Sequence, residues 1–110
     1  MNMIRCTRMA WIATALLCGG LLAGCPCKNI VKVHNDTINP ITAVYVKYEV
    51  VEDWGDNRIN GDILPGETEN IGNLLPGRYD VRLDYFAGDD GFLKLDVLCG
   101  EEYVLEASAD

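Results

Sequence analysis

From Asp56 to Glu67 the chain reads DNRINGDILPGE, and the oxygen-bearing residues Asp56, Asn60, Asp62 and Glu67 are spaced like ligands of a calcium-binding loop, with Gly61 at the position of the sharp turn. Two residues argue against that chemistry. Arg58 brings a cation to a position where a ligand oxygen belongs, and Pro65 stiffens the second half of the stretch. The preferred reading is a solvated acidic turn with no metal. A looser calcium site on Asp53, Asp56 and Asp62, or on Asp89 and Asp90, is the alternative. Other reactive side chains are few. Ser108 is the only serine and His34 the only histidine, so the sequence holds no obvious pairing of a serine nucleophile with its base. Ser108 is expected in a frayed tail and His34 at a strand end. Glycoside hydrolysis needs two carboxyl groups across a cleft, one of them desolvated, and so small a domain has little room for one. Two thiols and one histidine without a C-x-x-C spacing make a poor zinc set. The expectation is a protein that is not an enzyme and carries no cofactor.

The remaining thiol of interest closes an apolar run. MNMIRCTR carries Arg5 and Arg8 and no acid, and Met9 to Ala23 has no charged side chain. A membrane-spanning helix needs about 20 apolar residues; this run is shorter and is interrupted by Gly19 and Gly20. It reads as a secretory signal. Leu22-Ala23-Gly24-Cys25 resembles the lipobox of bacterial lipoprotein precursors. The resemblance implies that Cys25 receives a diacylglyceryl thioether, that the chain is cut before Cys25, and that the new amino terminus is fatty-acylated. Two or more acyl chains anchor stably where one binds reversibly. The division expected is a signal over residues 1–24, a lipid-anchored tether over 25–27 and a domain over 28–110. Pro26, in place of the aspartate that retains enteric lipoproteins at the inner membrane, favours the outer membrane of a Gram-negative cell.

After the signal, seven Lys and Arg face seventeen acids, a net charge of −10. Such a surface repels nucleic acid. Its alternating runs of Val, Ile, Leu and Tyr nevertheless predict a buried core. With Cys25 lipidated, Cys27 and Cys99 remain in an oxidising compartment as a candidate disulfide, the alternative being two independent thiols.

Period-two alternation dominates this part of the chain. NIVKVHN, ITAVYVKYEVV, RYDVRLDYF, FLKLDVL and YVLEA read as strands, with another near Glu67 to Ile71 and a short one possible around Ile59 to Leu64. Pro65-Gly66, Pro76-Gly77 and AGDDG read as turns. The expected core is Val31, Val33, Val44, Val46, Tyr48, Tyr79, Val81, Leu83, Leu93, Leu95 and Val97, with Val50 and Tyr85 on the same faces. The fold class is all-β, a small antiparallel β-sandwich of six to seven strands, immunoglobulin-like or transthyretin-like.

The layout Trp54-Gly55-x-Asn57, then Leu64-Pro65-Gly66-Glu67, then Leu75-Pro76-Gly77-x-Tyr79-Asp80-Val81-Arg82 resembles small secreted bacterial β-sandwich domains of uncharacterised role. That resemblance implies a fold and transfers no active site. The Asp56–Glu67 spacing resembles an EF-hand loop, but no helices flank it. Trp54 is either a lid on the core or an exposed anchor for an unknown protein or saccharide partner. The function expected is a lipid-anchored binding or structural module of the cell envelope. The alternatives are an envelope inhibitor of a basic hydrolase such as lysozyme, although the serine-glycine loop associated with one such family is absent, and a calcium- or saccharide-binding accessory domain.

Overall fold

The computed structural model describes residues 2–10 and 29–109. All its regular elements are strands: β1 (Asn2–Ala10), β2 (Ile30–Asp36), β3 (Ile41–Tyr48), β4 (Thr68–Asn73), β5 (Gly77–Tyr85), β6 (Gly91–Val97) and β7 (Glu101–Ala109). They form two sheets, ordered β1-β7-β2-β4 and β3-β5-β6, with one apolar core between them. The chain is therefore all-β, a small β-sandwich. The lipobox residues Leu22, Ala23, Gly24 and Cys25, and Cys27 with them, lie outside the described residues.

Four of the five strand pairings are antiparallel, while β2 and β7 run parallel, from Val31 opposite Tyr103 to Asp36 opposite Ser108. Parallel neighbours need long crossover connections, and this chain supplies one by passing through the other sheet between them. Ser108 accordingly lies within β7 rather than in a frayed tail. Six strands come from residues 29–109. The seventh, β1, comes from the charged head of the expected signal and the first two residues of its uncharged run, and pairs along β7 from Asn2 opposite Ala109 to Ala10 opposite Glu101.

Alternation selects the buried face of most strands. Val31, Val33, Val44, Val46, Tyr79, Val81, Leu83, Tyr85, Leu95 and Val97 are buried, and Leu93 packs half-buried against them. Tyr48 departs from expectation at 43 % exposure and Val50 at 91 %. The cause is that β3 ends at Tyr48, where the Val51 N–H donates to the Tyr48 carbonyl and turns the chain. The Tyr48 ring instead stacks on Tyr79, centroids 4.7 Å apart. Two bulges break the alternation. Thr42 is extra against β5, so Ala43 and Val44 are both buried. Ile71 is extra against β2 and turns into the core, followed by Gly72 at φ 107°. The stretch near Ile59 to Leu64 forms no strand. It contributes the buried Ile59 and Ile63, the latter bridged to Ile41.

Two fully buried asparagines stand at the ends of β2, Asn29 just before it and Asn35 as its last residue but one. Asn29 donates from Nδ2 to the Leu74 carbonyl (2.8 Å) and accepts at Oδ1 from the N–H groups of Gly100 (2.7 Å) and Glu101 (3.4 Å). Asn35 donates to the carbonyls of Asn39 (2.8 Å) and Ile63 (2.9 Å), and accepts from the N–H (3.0 Å) and hydroxyl (2.7 Å) of Thr37. Asn35→Ala leaves the Thr37 N–H without its acceptor inside the fold and should cost about 3 kcal/mol in urea unfolding; a loss under about 1 kcal/mol would show that the bonds are dispensable. The Tyr85 hydroxyl is buried without a partner, and burial pushes its pKa up to about 12. Because the folded value lies above the unfolded one, the neutral hydroxyl contributes stability present below about pH 10 and lost as pH rises through 12. Tyr85→Phe should therefore leave stability at pH 7 unchanged or raised, and flatten its decline between pH 10 and 12 in urea titrations.

Candidate functional site

The outer face of the β3-β5-β6 sheet carries its polar side chains in cross-strand rows. Lys47, Asp80 and Lys94 stand opposite one another on the three strands, as do Tyr45, Arg82 and Phe92 in the next such row. In the first row Asp80 takes both ammonium groups, Lys47 Nζ at 3.1 Å and Lys94 Nζ at 3.2 Å, and Lys94 also reaches Glu49 at 3.4 Å. The hydrogen bond from Lys47, reinforced by that from Lys94, outweighs desolvation and holds the Asp80 carboxyl below its ordinary range; its bond to Asp80 raises Lys94 in turn. In the second row Arg82 forks onto Asp84 (2.7 and 3.2 Å), reaches Asp90 (3.4 Å), and lies 5.3 Å from the Tyr45 ring centroid.

Trp54 is held over these rows. Asn57 Oδ1 accepts from the N–H groups of Val44 (2.8 Å) and Ile59 (3.2 Å), and the Arg58 N–H donates to the Val44 carbonyl (2.7 Å), so the loop after β3 is fastened back onto that strand. Gly55, at φ 76°, makes the turn beside Trp54. The half-buried indole sits 6.2 Å from the ring of Phe92, which is 64 % exposed, with Lys47 Nζ 5.0 Å from the indole centroid. Trp54, Asp80, Phe92 and Lys94 border a cleft of about 290 Å³. Trp54 is thus not a lid on the core. Lys47, Asp80, Phe92 and Lys94 join it through strand register, which the outward alternation of RYDVRLDYF and FLKLDVL foreshadows without giving their pairing.

The arrangement suits contact rather than proton transfer. An aspartate kept ionised by two ammonium groups does not deliver a proton near neutral pH. Two aromatic rings beside paired charges offer apolar area together with hydrogen-bonding groups at the rim. Of the residues spaced like calcium ligands, Glu67 has a structural role. Asp56, Asn60, Asp62 and Glu67 are exposed. Glu67 Oε1 accepts the Leu64 N–H at 2.9 Å and caps the Pro65-Gly66 turn, in which Gly66 has φ 87°. Among the described residues no three His, Cys, Asp or Glu side chains are grouped as metal ligands. His34 shares a hydrogen bond with Thr68 Oγ1 (2.8 Å). Tyr79 donates to the Leu75 carbonyl (2.6 Å), fastening the corner before β5; burial foremost raises its pKa. Cys99 is exposed in the turn after β6.

Compared with protein-family models, curated proteins and solved structures, the chain matches none. In a Trp11→Phe chain, Phe92→Ala should red-shift Trp54 fluorescence and increase its quenching by acrylamide, with the core intact. An unchanged spectrum would mean that the two rings do not shield each other in solution.

Proposed function

We propose that the chain is a lipid-anchored, non-enzymatic binding or structural module of the bacterial cell envelope, facing the periplasm from the outer membrane where the cell is Gram-negative. The observation that carries this reading is Leu22-Ala23-Gly24-Cys25 at the end of an uncharged run, four residues before the domain's first described residue, Asn29. So short a tether keeps the domain near the lipid surface.

The Trp54–Phe92 face is the contact surface of this module. Its cleft is at the lower end of the volumes of ligand sites, which suits one side chain or one sugar ring. The exposed acids Glu52, Asp53 and Asp56 beside Trp54 favour a partner with basic groups. A bridge between Cys27 and Cys99 belongs to the same reading. Asn29 Oδ1 binds the N–H of Gly100, next to Cys99, and two residues of chain place the Cys27 Cα within about 7 Å of the Asn29 Cα. That reach accommodates disulfide geometry and fastens the tether to the turn after β6.

The test is labelled palmitate fed to producing cells. The wild-type chain should incorporate label and be processed, and its intact mass should show a diacylglyceryl group on a chain beginning at Cys25 and lacking the two hydrogens of a bridge. Cys25→Ser should remain an unlabelled precursor. Normal labelling and processing of Cys25→Ser would overturn the lipoprotein reading.

A further inference from the structure

Seven of the nine residues of β1, Asn2 to Arg8, are also the basic head of the export signal, and Met9 and Ala10 begin its uncharged run. In the exported protein they cannot serve as both. The basic end of a signal stays on the cytoplasmic side of the membrane, while the chain beyond Cys25 crosses, so β1 is separated from β7 even before cleavage removes residues 1–24. β2 still holds one edge of β7. The other edge is left with unpaired N–H and C=O groups, a template for another strand.

The place that β1 leaves has a defined shape and charge. Ile4 packs against the core and reaches the start of β6: a Cβ built on Gly91 would lie 3.0 Å from Ile4 Cδ1 and 3.5 Å from the Tyr85 ring. Gly91 thus opens an apolar slot. The adjacent residue of β1, Arg5, stands opposite Glu106, so the site pairs an apolar slot with an acidic position one residue along.

We propose that in the exported protein the free edge of β7 binds an extended segment of another envelope protein, which adds antiparallel to β7 with an apolar side chain in the Gly91 slot and a basic one opposite Glu106. The proposal rests on the export reading of residues 1–24. A second copy of the chain fits the edge poorly. β7 has no basic residue to set opposite Glu106, and pairing about Val104 sets Glu102 of each strand against Glu106 of the other, a like-charge pair that destabilises a ladder. The net charge of −10 on each domain adds to that repulsion. Backbone bonding supplies affinity in such strand addition, and the slot and charge supply selectivity.

The experiment uses the processed lipoprotein in detergent, its amino terminus identified by mass, and a synthetic peptide of residues 2–10 carrying Cys6→Ser. Saturable binding is expected, with hydrogen-exchange protection appearing at Glu101–Ala109. Glu106→Lys should weaken binding about fivefold, and the Arg5→Glu peptide should restore it on that variant. Gly91→Val, which fills the slot, should weaken binding about tenfold while leaving exchange in the other sheet unchanged. A chain beginning at Cys25 with no peptide-dependent protection of β7, or with no rescue by the charge swap, overturns the proposal while the export reading stands. Protection of β7 that rises with protein concentration in the absence of peptide assigns the edge to a second copy and also overturns it. A mass that retains residues 1–24, with β7 already protected, overturns both readings.

Discussion

β2 is the strand to which the rest of the molecule returns, and the amides of Asn29 and Asn35 at its two ends are what hold it. Each of the chain's passages between the sheets ends near one of these side chains. The β4–β5 connection gives its Leu74 carbonyl to Asn29, and the β6–β7 turn gives Asn29 its N–H groups. The β2–β3 turn and the Ile63 segment converge on Asn35. An amide carries donors and an acceptor on one rigid group, so it can join backbone segments of opposite polarity where an apolar side chain could not. Buried polar groups of this kind help hold a unique arrangement when they are hydrogen-bonded, and the side-chain nitrogen and oxygen of both are.

That scaffold frees the far face of the three-stranded sheet from any packing duty. Its cross-strand rows are charged because they face away from the core, and the charges pair because strand register sets them about one strand spacing apart. Asp80 between two lysines is the clearest result. Trp54 lies above the rows because Asn57 fastens its loop to β3. The same loop buries Ile59, so aromatic display outside and core filling inside depend on one anchored segment.

Much of the fold was legible because a half-buried strand writes its two faces into alternate residues. RYDVRLDYF could be assigned face by face, and its neighbours nearly so. The errors have local causes. Bulges at Thr42 and Ile71 insert one residue and shift the alternation, and the end of β3 at Tyr48 depends on a turn hydrogen bond that no side-chain pattern announces. The turn motifs read in the sequence proved structural in detail, with Glu67 capping its own turn rather than standing as a free ligand oxygen. The candidate site was legible only in Trp54. Its companions lie on three strands, and cross-strand neighbours are set by register.

By itself the sequence determined the strand periodicity, the turns at Pro65-Gly66 and Pro76-Gly77, the strongly acidic charge and the uncharged run ending at Cys25, because each is a property of adjacent residues. The tertiary structure alone decided that β2 and β7 lie parallel, that Asn29 and Asn35 are buried, that Trp54 meets Phe92 over Asp80, and that residues 2–10 lie along β7. These relations join residues far apart in the chain, and their energies come from burial and hydrogen bonds that exist only once the two sheets have closed.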